Sequence, residues 1–313
     1  MLAGLSLSLL ALLLPLGLLL DWLLGEMRRW HPLVGFGNAA GRLESAMNKG
    51  GMCFMRGLCA WCVAVLLPSA LAWMALAQLA KWSLLAACIA HVALLYFSLG
   101  LRSLRDHALP IARALAVGDL PRARRLTARI VSRDTAQANE ADLAKAGVES
   151  LLENGNDAVF GTLFWFLVAG GPGALLFRLA NTLDAMWGYR TPRFDMFGRT
   201  AARIDDALNF IPARLTALSY ALLGNTRQAW QCWRAQAPAW SSPNAGPVMA
   251  AGAGALGVLL GGAAVYHGEI EQRPPLGTGA AAEGSDIVRA WRLVSATACL
   301  WAGAIVIAGV FRA

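Results

Sequence analysis

The chain has 313 residues, 57% of them hydrophobic and only 15% charged, with a mean hydropathy of +0.51, which excludes an ordinary soluble globular protein. A formal net charge of +8 would suit nucleic acid, but no Lys/Arg block with interleaved aromatics is present, so nucleic acid is excluded as a partner and the lipid bilayer takes its place. The fold predicted is all-α: a polytopic integral membrane protein with helical cytoplasmic segments, forming one membrane-embedded domain over residues 1–313.

The N-terminus, MLAGLSLSLLALLLPLGLLLDW, has no basic residue before its apolar core and no small-x-small cleavage site before Asp21. It reads as a retained first span, residues 2–20, rather than a signal peptide. A polar segment follows with Asp21, Gly25, Glu26, Arg28, His31, Pro32, Gly41, Arg42 and Glu44. A lone histidine such as His31 is more often a structural hydrogen-bonding group than a catalyst. Residues 58–80 and 82–101 are each long enough to cross a bilayer core of about 30 Å, and only Lys81 separates them, which predicts a tight helical hairpin. Cys59-Ala-Trp-Cys62 has redox spacing but opens a membrane helix without a second pair, so a packed, reduced pair is expected.

Basic residues assign the sides. Segments 21–57, 102–157 and 178–247 hold 22 of the 27 Lys and Arg residues, whereas residues 267–290 hold two against four acids. The positive-inside rule then places all three basic segments in the cytoplasm. That requires residues 158–177 to enter and return, and Gly170-Gly171-Pro172-Gly173 supplies the helix break for a re-entrant or broken segment. Residues 293–310 form another span; residues 248–266 are apolar but glycine-rich, so their course is left open.

Immediately before residue 158 stands ESLLENGND. On a helix Glu149, Glu153 and Asp157 share a face at i, i+4 and i+8. A solvated face is the ordinary reading of such a stripe, but beside a membrane and after Arg133 and Asp134 it also suits a divalent cation, magnesium before zinc because the donors are hard oxygens. NTLDAMWGYR (181–190) and ARIDDALNFIPAR (202–214) form a second polar cluster, with Arg203/Asp206 and Asp205/Asn209 at helical pair spacings. SSPNAG (241–246) is turn-forming. No P-loop, GxSxG elbow or HExxH motif occurs. Gly252-Ala-Gly254-Ala-Leu-Gly257 matches GxGxxG but lies in an apolar run, where close helix packing explains it better.

Seven stretches in order, DWLLGEMRRWHPLVGFGNAAGRLE (21–44), IVSRDT (130–135), VESLLENGNDAVFGTLFW (148–165), NTLDAMWGYR (181–190), FGRTAARIDDALNFIPARLTA (197–217), SPNAGPVMAAGAGALGVLLGG (242–262) and Tyr266 with RPPLG (273–277), together resemble the cobalamin-biosynthesis membrane family of adenosylcobinamide-phosphate synthases, or cobinamide synthases. The chain departs from the family's opening motif, which often has Asp-Pro after its glycine where Glu26-Met27 stands here.

The resemblance implies an ATP-dependent amide ligase of the cytoplasmic (inner) membrane. It joins the carboxylate of adenosylcobyric acid, a corrinoid, to aminopropanol or aminopropanol phosphate, with other cobalamin-assembly membrane enzymes as candidate partners. An amine does not displace hydroxide from a carboxylate at a useful rate, so ATP and Mg2+ would first form an acyl phosphate. Glu149, Glu153, Asp157, Asp205 and Asp206 are the candidate magnesium carboxylates. Arg133, Arg190, Arg203 and Arg214 suit phosphate, with Asp134 beside them. Asn154, Asn181, Asn209 and Asn244 would orient substrate amides. The base that takes the amine proton is left open among His31, Asp184, Glu149 and Glu153. The rival readings are a membrane transporter and a non-enzymatic sensor of the same fold.

Overall fold

The computed structural model describes residues 4–27, 31–266 and 268–312; the start of the first predicted span and Arg28 lie outside the described residues. The chain is a predominantly helical polytopic membrane protein. Among the described residues, five helical runs are long and apolar enough to cross a membrane: Leu7–Leu24, Cys53–Trp82, Leu84–Ala116, Glu140–Trp187 and Gly284–Val310. By contact the chain divides into two compact units. One comprises Met1–Gly100, Gly161–Asn209 and Ala302–Ala313; the other comprises Leu101–Phe160 and Phe210–Trp301. Their segments alternate along the chain, so no composition boundary marks them.

In the first unit, α1 (Leu7–Leu24) is capped by Ser6, whose side chain accepts the Leu9 N–H. It lies close against α5 (Leu84–Ser98): a Cβ on Gly17 would fall 2.4 Å from Leu95 Cδ2. Helix α3 (Cys53–Trp61) continues through a π turn, Cys62–Leu66, into α4 (Leu67–Trp82). The wide turn comes just before Pro68, which lacks the N–H a regular ladder would require. Extended backbone at Ser83 (φ −154°) ends α4, and the Ser83 hydroxyl accepts the Ala86 N–H to start α5. The predicted hairpin thus turns two residues after Lys81. All six cysteines are free, Cys59 and Cys62 included.

Helix α9 (Gly161–Trp187) is broken where the glycines and proline predict. Ala169 and Gly170 leave helical geometry, with Gly170 at φ 62°, a conformation that favours glycine. The interruption exposes backbone donors, and the structure satisfies one directly: buried His91 of α5 accepts the Gly171 N–H through Nδ1 at 2.9 Å. Irregular backbone in an apolar setting is stable only with such internal partners. Beyond the break, Leu183 and Trp187 pack in a core with Ala60, Trp61 and Phe197.

Helix α2 (Pro32–Met47) begins at His31, whose Nδ1 accepts the Leu33 N–H at 3.2 Å. Its buried Glu44 receives Arg193 Nε at 3.0 Å and Asn48 Nδ2 at 2.8 Å, and Asn48 also donates to the Arg193 carbonyl. The Arg193 hydrogen bond outweighs burial and holds the Glu44 carboxyl below its usual value of 4.5. Because the folded state favours the ionised form, this clamp stabilises at neutral pH and its contribution is lost as pH falls through the lowered value. Glu44→Gln is therefore expected to melt earlier than the parent protein at neutral pH, with the gap closing in acid. A gap independent of pH in thermal melts would assign the effect to packing instead.

The second unit contains α6 (Leu101–Ala116), α7 (Leu120–Thr127) and α8 (Glu140–Gly155), the last opened by a capping box between Asn139 and Asp142. A π turn, Asn156–Phe160, follows α8. It also contains α11 (Thr226–Gln236), α12 (Ala245–Leu256) and parts of α10 (Arg199–Leu223) and α13 (Gly284–Val310). Glycines of the GxGxxG match pack α12 closely: a Cβ on Gly252 would meet Leu152 at 2.7 Å, and one on Gly254 would meet Ala229 Cα at 2.8 Å.

Residues 248–266 do not form one span. Left-handed Gly257 (φ 68°) stops α12 after 12 residues, and β1 (Val258–Tyr266) follows. Strand β1 pairs antiparallel with β2 (Glu269–Gly277) and parallel with β3 (Ala280–Ala281), in the order β2-β1-β3. Pro274 and Pro275 therefore lie on an edge strand, where a missing donor is tolerated. This small sheet, unforeseen in the sequence, turns the chain back from Tyr266 to Arg273.

Candidate functional site

Glu149 is the centre of the polar site in the second unit. It projects from α8 and is 2% exposed, a position that a carboxylate occupies only with full compensation. Arg133 Nη2 donates to its Oε2. Arg273 reaches it with two nitrogens, Nη1 to Oε2 at 3.0 Å and Nη2 to Oε1 at 3.2 Å. The fourth donor is a backbone N–H: the register of β1 and β2 shifts between Leu260 and Gly262, and the bulged Gly261 donates to Oε1 at 2.8 Å. Gly261 has φ 74° and no room for a Cβ, which would fall 2.1 Å from the Pro274 carbonyl oxygen. Burial works against the Arg273 charge, but the adjacent Glu149 carboxylate more than offsets it and raises the pKa above the ordinary arginine value.

These contacts draw three distant stretches around a cavity of about 400 Å³. Its walls include Ser132 and Arg133 from the 130–135 loop, Glu149, Ser150, Glu153 and Asn154 from α8, and Trp240 and Ser241 from the turn before α12. Tyr266, Glu271, Gln272 and Arg273 come from the hairpin. Asp134 fastens the hairpin to the loop: its N–H donates to Val265 O and its Oδ2 accepts the Gly268 N–H at 2.7 Å. Arg273 also lies over the Trp240 ring, 5.6 Å from its centroid.

The carboxylates predicted from the sequence have unlike environments. Both oxygens of Glu149 are engaged by arginines and an N–H, so it offers no free site to a cation. Glu153, one turn further on, is half-buried, lines the cavity and forms no ion pair among the described residues. Asp157 is reached by the π turn, accepts from Asn156 Nδ2 at 2.9 Å and is not among the lining residues. Asn154 is there, its amide donating to Ser150 O at 2.9 Å.

Arg214 and Asn244 meet directly, Nη1 to Oδ1 at 2.7 Å, and Arg214 Nη2 donates to Pro243 O. With the guanidinium 3.7 Å above the Phe210 ring, this pair fixes the turn that carries Ser241. In the first unit, Asn181 and Asn209 both donate to Asp205, at 3.5 and 3.0 Å. Asp184 precedes Gly188, where a Cβ would fall 2.1 Å from Asp184 Oδ1. Arg190, Arg203 and Asp206 line a second cavity of about 400 Å³ with Asp195 and Arg199.

Among the described residues no three His, Cys, Asp or Glu side chains gather as a metal set. That argues against a dedicated protein cage. It is compatible with a magnesium ion carried on nucleotide phosphates, which needs only one or two carboxylates and keeps several waters. Glu153 and Glu271 are the lining carboxylates that form no ion pair among the described residues.

Sequence reasoning named Arg133, Glu149, Glu153 and Asn154 but did not assign a role to Arg273, Trp240, Ser241 or Tyr266. The signal for Arg273 was present in RPPLG; what hid it was the apolar run before Tyr266, which reads equally as a membrane crossing.

Residues 14–294 match the model of the family described as CobD/Cbib protein. Among similar curated proteins, the cobalamin biosynthesis protein CobD of Stutzerimonas stutzeri is 59% identical, covering 91% of this chain and 93% of its own. The protein of the same name from Chromobacterium violaceum is 56% identical over 93% and 94% of the two chains. That from Mycobacterium tuberculosis H37Rv is 39% identical over 94% and 93%. No solved structure matches.

Proposed function

Given that the chain belongs to the CobD/Cbib family of cobalamin-biosynthesis proteins, we propose that it catalyses ATP-dependent amide formation between adenosylcobyric acid and aminopropanol phosphate or aminopropanol. The observation that carries the reading is the second-unit cavity. It combines Glu149 held by two arginines, a Glu153 carboxylate that forms no ion pair among the described residues, and a lining of amide, hydroxyl and aromatic groups.

Bound ATP with magnesium would supply the phosphoryl group that activates the corrinoid carboxylate. Arg133 donates to Glu149 through Nη2, leaving its other guanidinium donors for an anion in the cavity. Attack by the amine then expels phosphate and forms the C–N bond. The attacking nitrogen must lose a proton, and Glu153 is the base best suited to accept it, since both oxygens of the positioning residue Glu149 are taken by guanidinium groups and the Gly261 N–H. Asn154, Ser241 and Gln272 present amide and hydroxyl groups suited to the corrinoid's peripheral amides, and Trp240 and Tyr266 present apolar faces to the ring. The distribution of basic residues supports a site at the cytoplasmic face of the inner membrane.

Purified protein in detergent, incubated with cobyric acid, its adenosylated form, aminopropanol phosphate, ATP and magnesium, is expected to yield the amide by mass spectrometry. Omission of ATP or of the amine should abolish it. Corrinoid binding without product or substrate-dependent ATP hydrolysis would shift the reading to a carrier.

A further inference from the structure

We propose that the part of α10 from Phe210 onward and the next helix, α11, hold an anionic diacyl phospholipid on the second unit. The acyl chains lie along Ile211, Leu215, Leu218 and Leu222, and the headgroup phosphate meets Arg227 and Arg234. The site uses none of the residues that line the Glu149 cavity and needs no assumption about the chemistry there.

From Phe210 onward α10 has two opposite faces. On the inner one Thr216 donates to Asn156 Oδ1 at 3.0 Å, Tyr220 donates to the Leu152 carbonyl at 3.2 Å, and Ser219 accepts Trp301 Nε1 at 3.0 Å. Leu152 and Asn156 belong to the run Glu140–Trp187, and Trp301 to Gly284–Val310. This stretch of α10 is therefore bound sideways to two helices suited to a bilayer. The outer face carries Ile211, Leu215, Leu218 and Leu222 at i, i+4, i+7 and i+11, each between 38% and 60% exposed. Yet α10 is not itself among the runs suited to crossing. From Phe210 to Leu223 it rises only about 21 Å, close to the depth of one leaflet with its headgroups and short of a bilayer core of about 30 Å.

Asn225 makes the corner after α10: its side chain accepts the Gln228 N–H at 3.1 Å, and its own N–H donates to the Ala255 carbonyl at 3.1 Å. Ala229 and Cys232 of α11 are buried, and Ala229 lies against Gly254 of α12, which fixes the inner face. Outward stand Arg227, Trp230 and Arg234 at i, i+3 and i+7, all exposed. Neither arginine forms an ion pair among the described residues. Guanidinium forks suit a phosphodiester, and an indole between them suits the interfacial layer. A helix of a second copy would account for the apolar seam alone; an anionic phospholipid accounts for the seam and for the basic stripe that follows it.

Native mass spectrometry of the full chain in detergent, with phosphatidylglycerol and phosphatidylcholine of the same chain length added in equal amounts, tests the assignment. The parent protein is expected to retain phosphatidylglycerol preferentially. Arg227→Ala and Arg234→Ala should each lower that preference about fivefold, the effect of one basic residue at an anionic surface, with melting midpoints equal to the parent's. Leu218→Gln should weaken retention of both lipids and leave the preference intact, a split that general misfolding would not produce.

Equal retention of the two lipids by the parent, or a preference unchanged in both arginine variants, overturns the proposal. Displacement of phosphatidylglycerol by inorganic phosphate at comparable concentration also overturns it, by showing a site for a free anion. So does a dimer that Leu218→Gln dissociates, which would give the seam to a second copy of the chain.

Discussion

Glu149→Ala is expected to destabilise the second unit strongly and to abolish the proposed amide formation through loss of the cavity. The carboxylate is 2% exposed and accepts from Arg133, Arg273 and the bulged Gly261 N–H. Removing it leaves two largely buried guanidinium groups without a counter-charge. Breaking one buried pair by deleting a partner costs about 3–5 kcal/mol, and here two arginines lose the same partner. Thermal melts in detergent, with limited proteolysis of the 258–281 hairpin, measure the effect. Glu149→Gln retains an acceptor for Gly261 but no charge, so it should fall between the parent and alanine proteins. A melting midpoint equal to the parent's in Glu149→Ala would show that the arginines find other partners and that Glu149 does not organise the site.

The second large effect is expected at Glu153, where function should be lost without stability. Its side chain lines the cavity and forms no ion pair, so Glu153→Gln preserves shape and breaks no ion pair among the described residues. If it accepts the amine proton, the rate of amide formation should fall by about 10²–10⁴-fold, the range for loss of a general base. The melting midpoint should stay within the small range typical of a substitution that disturbs no buried contact. The pH dependence of kcat/KM should lose its acid limb. If Glu153 instead supports magnesium, the acid limb persists and the magnesium requirement rises, which rejects the base assignment. Full activity at ordinary magnesium removes Glu153 from the chemistry altogether.

Much of the arrangement was legible in the chain because it follows from local chemistry. Gly170-Gly171-Pro172 announces a helix break, and α9 breaks at Ala169 and Gly170. The stripe of Glu149 and Glu153 follows from helical spacing, and both line one cavity. The sequence did not show that two members of the same stripe differ so sharply. Their difference is made by Arg273, 124 residues from Glu149, and by an N–H freed at a β-bulge. Likewise Arg190, Arg193, Arg199 and Arg203 look alike in sequence, yet one is tied to buried Glu44, one to Asp195 and two form no ion pair among the described residues.

By itself the sequence determined the membrane character, the helical class and the family, because each depends on composition, period or ordered motifs within single segments. Only the tertiary structure decided that residues 248–266 are a short helix and a strand instead of a crossing, and so which residues share a cavity with Glu149. A run of apolar and glycine residues satisfies either a bilayer or a packed core equally well. The choice rests on partners supplied from elsewhere: Leu152 and Ala229 against the α12 glycines, and β2 along β1. Hydropathy records the preference for leaving water but carries no information about which surface receives the chain.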